Sequence, residues 1–140
     1  MAEGTPHLRE EINTGGVIEE VLRLFSSERR RIAIHILHEA DSEASGRAGI
    51  ISHVQLAEQV TAVEEGCHVD CVDRRSRKSA KVGLRQNHLP VLDEFGVVEW
   101  NEQSGSILTT TQTQAFGRLL KTLEFAIRRA EISDTDRRRS

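Results

Sequence analysis

Aromatic side chains are nearly missing from this 140-residue chain, which has four Phe, one Trp and no Tyr. A stacking platform for single-stranded nucleic acid needs a row of aromatic faces, so the composition argues against that class. Cysteine is limited to two residues, too few for a disulfide framework. No apolar run approaches the roughly 18–20 residues of a membrane span, and the N-terminus lacks the basic-then-apolar order of a signal peptide. The expected compartment is the cytoplasm, with no membrane partner. Lysine occurs only at Lys78, Lys81 and Lys121, so nearly all positive charge is arginine, which suggests a salt-adapted or GC-rich source. Catalytic signatures are missing too: there is no G-x-S-x-G, P-loop, Rossmann fingerprint or H-E-x-x-H, and the six His are scattered. Neither an enzyme nor a cofactor is expected.

The length fits one domain with short appendages. MAEGTPHLREEINTG, residues 1–15, has no hydrophobic period and reads as a disordered tail. Val17, Ile18, Val21, Leu22 and Phe25 then trace one face of a short helix. Ser26-Ser27 offers N-caps for a second helix over 28–40, burying Ile32, Ile34 or His35, Ile36 and Leu37. After a polar loop, Ile50-Ile51 is a stub of strand. Ser52 and Gln55 form a capping box for a third helix that ends at Gly66. A basic helix is expected from Arg74 to about His88, kinked or restarted at Pro90 and finished by Gly96. Val97–Trp100 and Ser106–Thr109 make a hairpin around NEQSG. Thr111 to Gln114 reads as another capping box, opening a last helix with Phe116, Leu120, Leu123 and Ile127 at heptad spacing.

This order, with a hairpin following the third core helix, is that of an α+β winged helix-turn-helix: a three-helix core, a β-hairpin wing and an extra C-terminal helix. The expected boundaries are a tail over 1–15, the domain over 16–110, the C-terminal helix over 111–132, and a second disordered tail over 133–140.

Positive charge is concentrated in one place. RRSRKSAKVGLRQNH, residues 74–88, holds six cations and no acid, although the whole chain carries 22 acids against 19 Lys and Arg. On a helix, Arg74, Lys78, Lys81, Arg85 and His88 share a stripe, with Arg77 beside it. Like charges at this spacing cost roughly 0.2–0.5 kcal/mol per pair, a cost an external anion would offset. Duplex DNA supplies that anion, and Gln86 and Asn87 can pair bidentately with adenine as Arg can with guanine. The expected DNA-binding set is Arg74, Arg75, Arg77, Lys78, Lys81, Arg85, Gln86 and Asn87. The competing reading is a solvated face neutralised by acids elsewhere in the chain. Leu89 and Leu92 also fall near the stripe, so either Pro90 rotates the second half or the stripe ends before His88.

The string HLPVLDEFGVVEW, residues 88–100, resembles the end of the recognition helix and the first wing strand of ArsR-like winged helices, with an unusual Pro inside it. Together with SSERRRIAIHIL, residues 26–37, it resembles an uncharacterised winged-helix family abundant in haloarchaea. The resemblance covers about residues 16–110 and implies a DNA-binding, transcription-regulatory role. In a cytoplasm molar in salt the Debye length is only about 3 Å, and close contacts would have to supply most of the affinity.

Three further features were weighed. Cys67, His68 and Cys71 are candidate zinc ligands, though C-x3-C is not the usual knuckle spacing and a pair of incidental thiols is favoured. Arg29-Arg30-Arg31 opens a helix, where cations oppose the dipole, so a phosphate contact or ion pairs would explain it, with the structural role ahead. The wing tip carries Glu102 and no cation and is not expected to clamp DNA. The last helix can fold back on its own domain or pair with a second copy. Heptad spacing favours a homodimer through Phe116, Leu120, Leu123 and Ile127. The expectation is a sequence-specific double-stranded DNA-binding transcription regulator. The alternatives are a winged-helix protein-interaction module without DNA binding, or a metal- or thiol-responsive repressor.

Overall fold

The computed structural model describes residues 15–43 and 49–139. The expected N-terminal tail, Gly15 excepted, and the centre of the polar loop after Ala40 lie outside the described residues.

The protein is α+β. Helices α1 (Val17–Leu24) and α2 (Glu28–Glu43) lead to strand β1 (Ile50–Ser52) and helix α3 (His53–Glu65). A 3-10 turn (Val69–Cys71) precedes α4 (Arg74–Gly83), a π-helical turn (Leu84–His88) and α5 (Leu89–Glu94). Strands β2 (Val98–Asn101) and β3 (Ser106–Thr109) form the hairpin, and α6 runs from Thr111 to Arg139. β3 lies centrally, antiparallel to both neighbours, in a three-stranded sheet of order β1-β3-β2. The stub of strand is thus the third member of the wing sheet, with Ile51 opposite Ile107.

Local signals set most of the ends. Ser27 Oγ accepts from Arg30 N–H at 3.3 Å and caps α2. Ser52 and Gln55 form the capping box of α3. Gly66, at φ 66°, ends that helix: Cys67 N–H bonds to Ala62 O, a Schellman closure. Gly96, at φ 74°, ends α5 in the same way, with Val97 N–H on Leu92 O. For α6 the box is one residue earlier than expected. Thr110 Oγ1 accepts from Gln112 N–H, and Thr110 N–H donates to Thr113 Oγ1.

The core gathers Ile34 and Leu37 of α2, Leu56 and Val60 of α3, Leu84, Leu89 and Leu92, Val97, Val98 and Ile107, and Leu120 of α6. In α2, Ile32 and Ile36 are only half-buried. In α1 the apolar face is half-covered: Leu24 and Phe25 are buried, whereas Val17, Ile18 and Leu22 stay exposed.

Three expectations change. The helix does not kink at Pro90. Pro90 cannot donate to a carbonyl four residues back, and the chain absorbs this in the preceding π turn, where Leu89 N–H bonds to Leu84 O, five residues back. The extra residue rotates everything after it by roughly 100° relative to an uninterrupted α-helix. His88 therefore leaves the basic stripe and, like Leu89 and Leu92, is buried.

The C-terminal helix does not stop at residue 132. It continues to Arg139, because nothing after Gly117 is Gly or Pro.

The expected dimer contacts mostly belong to the protein's own core. Leu120 is fully buried, and Phe116 and Leu123 pack against the core. Phe116 meets Phe25 and Phe95 edge-on, each at 6.3 Å. Of the four, only Ile127 is exposed.

Helix α6 approaches α2 closely because Gly117 has no side chain. A Cβ there would sit 2.5 Å from Cγ of the buried His38 ring. Gly117→Ala should therefore destabilise the protein by about 1–3 kcal/mol in urea denaturation, despite alanine's better helix propensity of about 1 kcal/mol. A neutral or stabilising result would show that this approach is not tight.

Candidate nucleic-acid interface

Helix α4 is presented from its N-terminus by Asp73, whose carboxylate accepts from Ser76 N–H at 3.3 Å. This N-cap places an acid where the helix dipole favours one and offsets the cations of the first turn. Ala80 and Leu84 anchor the inner face in the core. Arg77 lies to one side, half-buried, with Nη1 3.5 Å from Glu58 of α3. The outer face carries Arg74, Arg75, Lys78 and Lys81, all exposed. Among the described residues these four make no ion pair. Arg85 is also exposed, but it turns to the wing. Its Nε is 3.9 Å from Glu102, and Nη2 donates to Glu102 O at 3.4 Å. An exposed pair of this kind is worth about 0–1 kcal/mol and yields readily to a better anion. Gln86 and Asn87 are exposed on the π turn.

Behind this face, two arginines brace the helix. Arg29 makes a bidentate pair with Glu64, at 2.9 and 3.1 Å, and comes so close to α4 that a Cβ on Gly83 would lie 2.9 Å from its Nη1. Arg30 is buried. Its Nε donates to Leu24 O at 2.9 Å and Nη2 to Arg23 O at 3.0 Å, so it caps the C-terminus of α1. Its Nη1 faces His88 Nδ1 at 3.5 Å. Arg31 donates to Phe25 O. The arginine run is therefore a brace, in line with the structural reading.

Because a guanidinium only donates, His88 must offer Nδ1 as an acceptor and carry its proton on Nε2. Burial, then the charges of Arg30 and Arg29, push the His88 pKa down to about 4, opposed by Glu64.

The hairpin tip is shaped by Asn101, whose Oδ1 accepts from Gln103 and Ser104 N–H at 3.1 and 3.0 Å. Gly105, at φ 75°, abuts His53, whose N–H donates to Gly105 O at 2.9 Å. A Cβ at Gly105 would lie 2.8 Å from His53 Nδ1.

Cys67 and Cys71 are bonded to each other, not two thiols as expected. Their sulfurs are thus unavailable as thiolate ligands, and no cluster of three or more metal-ligating side chains forms among the described residues. Also among those residues, no helix is long and apolar enough to cross a membrane. The sequence reasoning missed Glu58, Glu102 and the bracing role of Arg30. Asp73 was legible, as a cap-type residue three before Ser76.

Residues 22–108 match a family described as Domain of unknown function (DUF7344). The chain belongs to that family. No curated protein and no solved structure matches. The family's span takes in the arginine brace, the connector, the basic helix and the wing, and leaves most of α6 outside.

A neutral buried His88 makes stability pH-dependent. Its folded pKa lies below the ordinary 6.5, so its contribution is complete above 6.5 and is lost as pH falls toward about 4. The urea midpoint should decline across that interval, and His88→Gln should flatten the decline. Identical pH profiles for the two proteins would contradict the neutral, buried ring.

Proposed function

We propose that this protein is a winged helix-turn-helix that binds double-stranded DNA and regulates transcription. The observation that carries the reading is the free cationic face of α4: Arg74, Arg75, Lys78 and Lys81 stand exposed without acidic partners in a chain of net charge −3. The element order, with β1 joining the hairpin beside a helix–connector–helix pair, is compatible with a winged helix and supports α4 as the element that enters the major groove. Arg74, Arg75, Lys78 and Lys81 would meet phosphates. Arg85, Gln86 and Asn87 have the donor and acceptor sets that read guanine and adenine edges. Arg77, held by Glu58, contributes less. The wing, with Glu102 at its tip, acts mainly as a support. The resemblance to haloarchaeal, ArsR-like winged helices points the same way by analogy only. We read the protein as a binding protein rather than an enzyme because its sequence lacks catalytic signatures.

The dimer we propose uses what the fold leaves uncovered. Val17, Ile18 and Leu22 of α1 and Leu119 of α6 border an apolar groove, and Ile127 continues the α6 stripe beyond it. Two copies joined there would present two basic helices to half-sites about 34 Å apart. The same groove favours, as a second reading, a protein-interaction module. Leu22→Glu together with Leu119→Glu should leave a monomer by light scattering without unfolding it. A wild-type protein that is already monomeric at high concentration removes the dimer.

DNA binding is tested by anisotropy against a random-sequence duplex over a salt series. Each phosphate contact adds about −0.9 to the slope of log K against log salt, so four contacts give about −3 to −4. Lys78→Ala, Lys81→Ala and Arg85→Ala combined should cut the slope by about two to three and abolish retention. An unchanged isotherm would reject α4 as the contact surface.

A further inference from the structure

The connector between α3 and α4 holds both cysteines of the chain, and they are cross-linked over the 3-10 turn with Cα atoms 6.2 Å apart. Little else fixes this segment. No residue of the turn is buried. Its backbone makes short-range bonds, from Cys71 N–H to His68 O and from Val72 N–H to Val69 O. Asp73 N–H reaches Glu65 only at 3.4 Å. Yet α4 begins at Arg74, three residues past Cys71, and its first turns carry Arg74, Arg75 and Lys78. The bond therefore sets how the basic end of α4 is offered to solvent. It is also reachable, because Cys71 is exposed and Cys67 is the less exposed of the pair. An exposed disulfide is open to thiolate attack from solution.

We propose that Cys67 and Cys71 form a reversible dithiol site that exchanges with low-molecular-weight thiols and disulfides, and that the bonded form is the one that presents α4 to duplex DNA. The second half rests on the DNA-binding reading above.

In the oxidising direction, the Cys71 thiolate attacks a small-molecule disulfide, forms a mixed disulfide and expels one small thiolate. The Cys67 thiolate then attacks Cys71 Sγ and expels the second. Two protein thiols lose two protons and two electrons, and the small disulfide becomes two thiols. Reduction reverses both steps: a small thiolate attacks Cys71 Sγ, releases the Cys67 thiolate to take up a proton, and a second small thiol clears the mixed disulfide.

Opening the bond leaves a seven-residue connector with few contacts, so binding must then order the start of α4 as well as dock it. The cost falls on affinity, because the cations themselves are unchanged.

The test uses the full chain in glutathione buffers from reducing to oxidising. Free thiols are counted in each buffer, and affinity is measured against the same random-sequence duplex. The bond should open and re-form reversibly in the folded protein, with the oxidised form binding roughly fivefold more tightly than the reduced one. The double variant Cys67→Ser, Cys71→Ser should match the reduced protein in every buffer. Amide hydrogen exchange should quicken on reduction from Cys67 into the first turn of α4 and stay unchanged in α2. A bond that never opens in excess dithiothreitol, or thiols that never pair, overturns the dithiol site. Equal affinities in the two states overturn the regulation while DNA binding stands. Absence of binding in both states overturns the regulation together with the DNA-binding reading.

Discussion

The fold turns on the buried guanidinium of Arg30. It is almost fully enclosed, yet no carboxylate pairs with it; two carbonyls at the end of α1 accept two of its hydrogens, and the unprotonated Nδ1 of His88 faces a third. A charge buried this way is tolerable only if every neighbour presents an acceptor, and that requirement ties three elements together. It holds α1 against α2, keeps His88 neutral and fixes the π turn against the arginine run. If His88 took up a proton, two cations would face each other in a desolvated space.

The rotation at the π turn separates the two faces of the long helix. Up to Arg85 its outward side carries positive charge; from His88 onward the same line of chain enters the core. Pro90 is the chemical cause, since the missing donor makes a wider preceding turn cheap. The exposed Gln86 and Asn87 sit on that wider turn. The bracing arginines lie behind it, so acids and cations on the inner side are matched. The cations on the outer side face only solvent. That asymmetry, more than the total charge, makes α4 a surface for a polyanion.

Much of this was legible in the residues. Gly66, Gly96 and the Ser52–Gln55 box set helix ends by local chemistry, which survives any tertiary arrangement. The clustering of cations without an intervening acid was equally plain. Two readings failed for an identifiable reason. Heptad spacing in α6 reports an apolar stripe but not what covers it, and Phe25, Phe95 and the core reach Phe116, Leu120 and Leu123 before any partner can. A straight-helix projection likewise placed His88 among the cations, because one extra residue in a turn changes every later azimuth and periodicity alone does not reveal it.

By itself, the sequence determined the order of helices and strands, their caps and the cationic composition of residues 74–85, since each of these depends on neighbours within a few positions. Only the tertiary structure decided which cations stay free, which are held by Glu58, Glu64 and Glu102, and that Arg30 meets His88 across 58 positions of chain. Those outcomes depend on distances between elements, which burial and packing fix and no local pattern encodes.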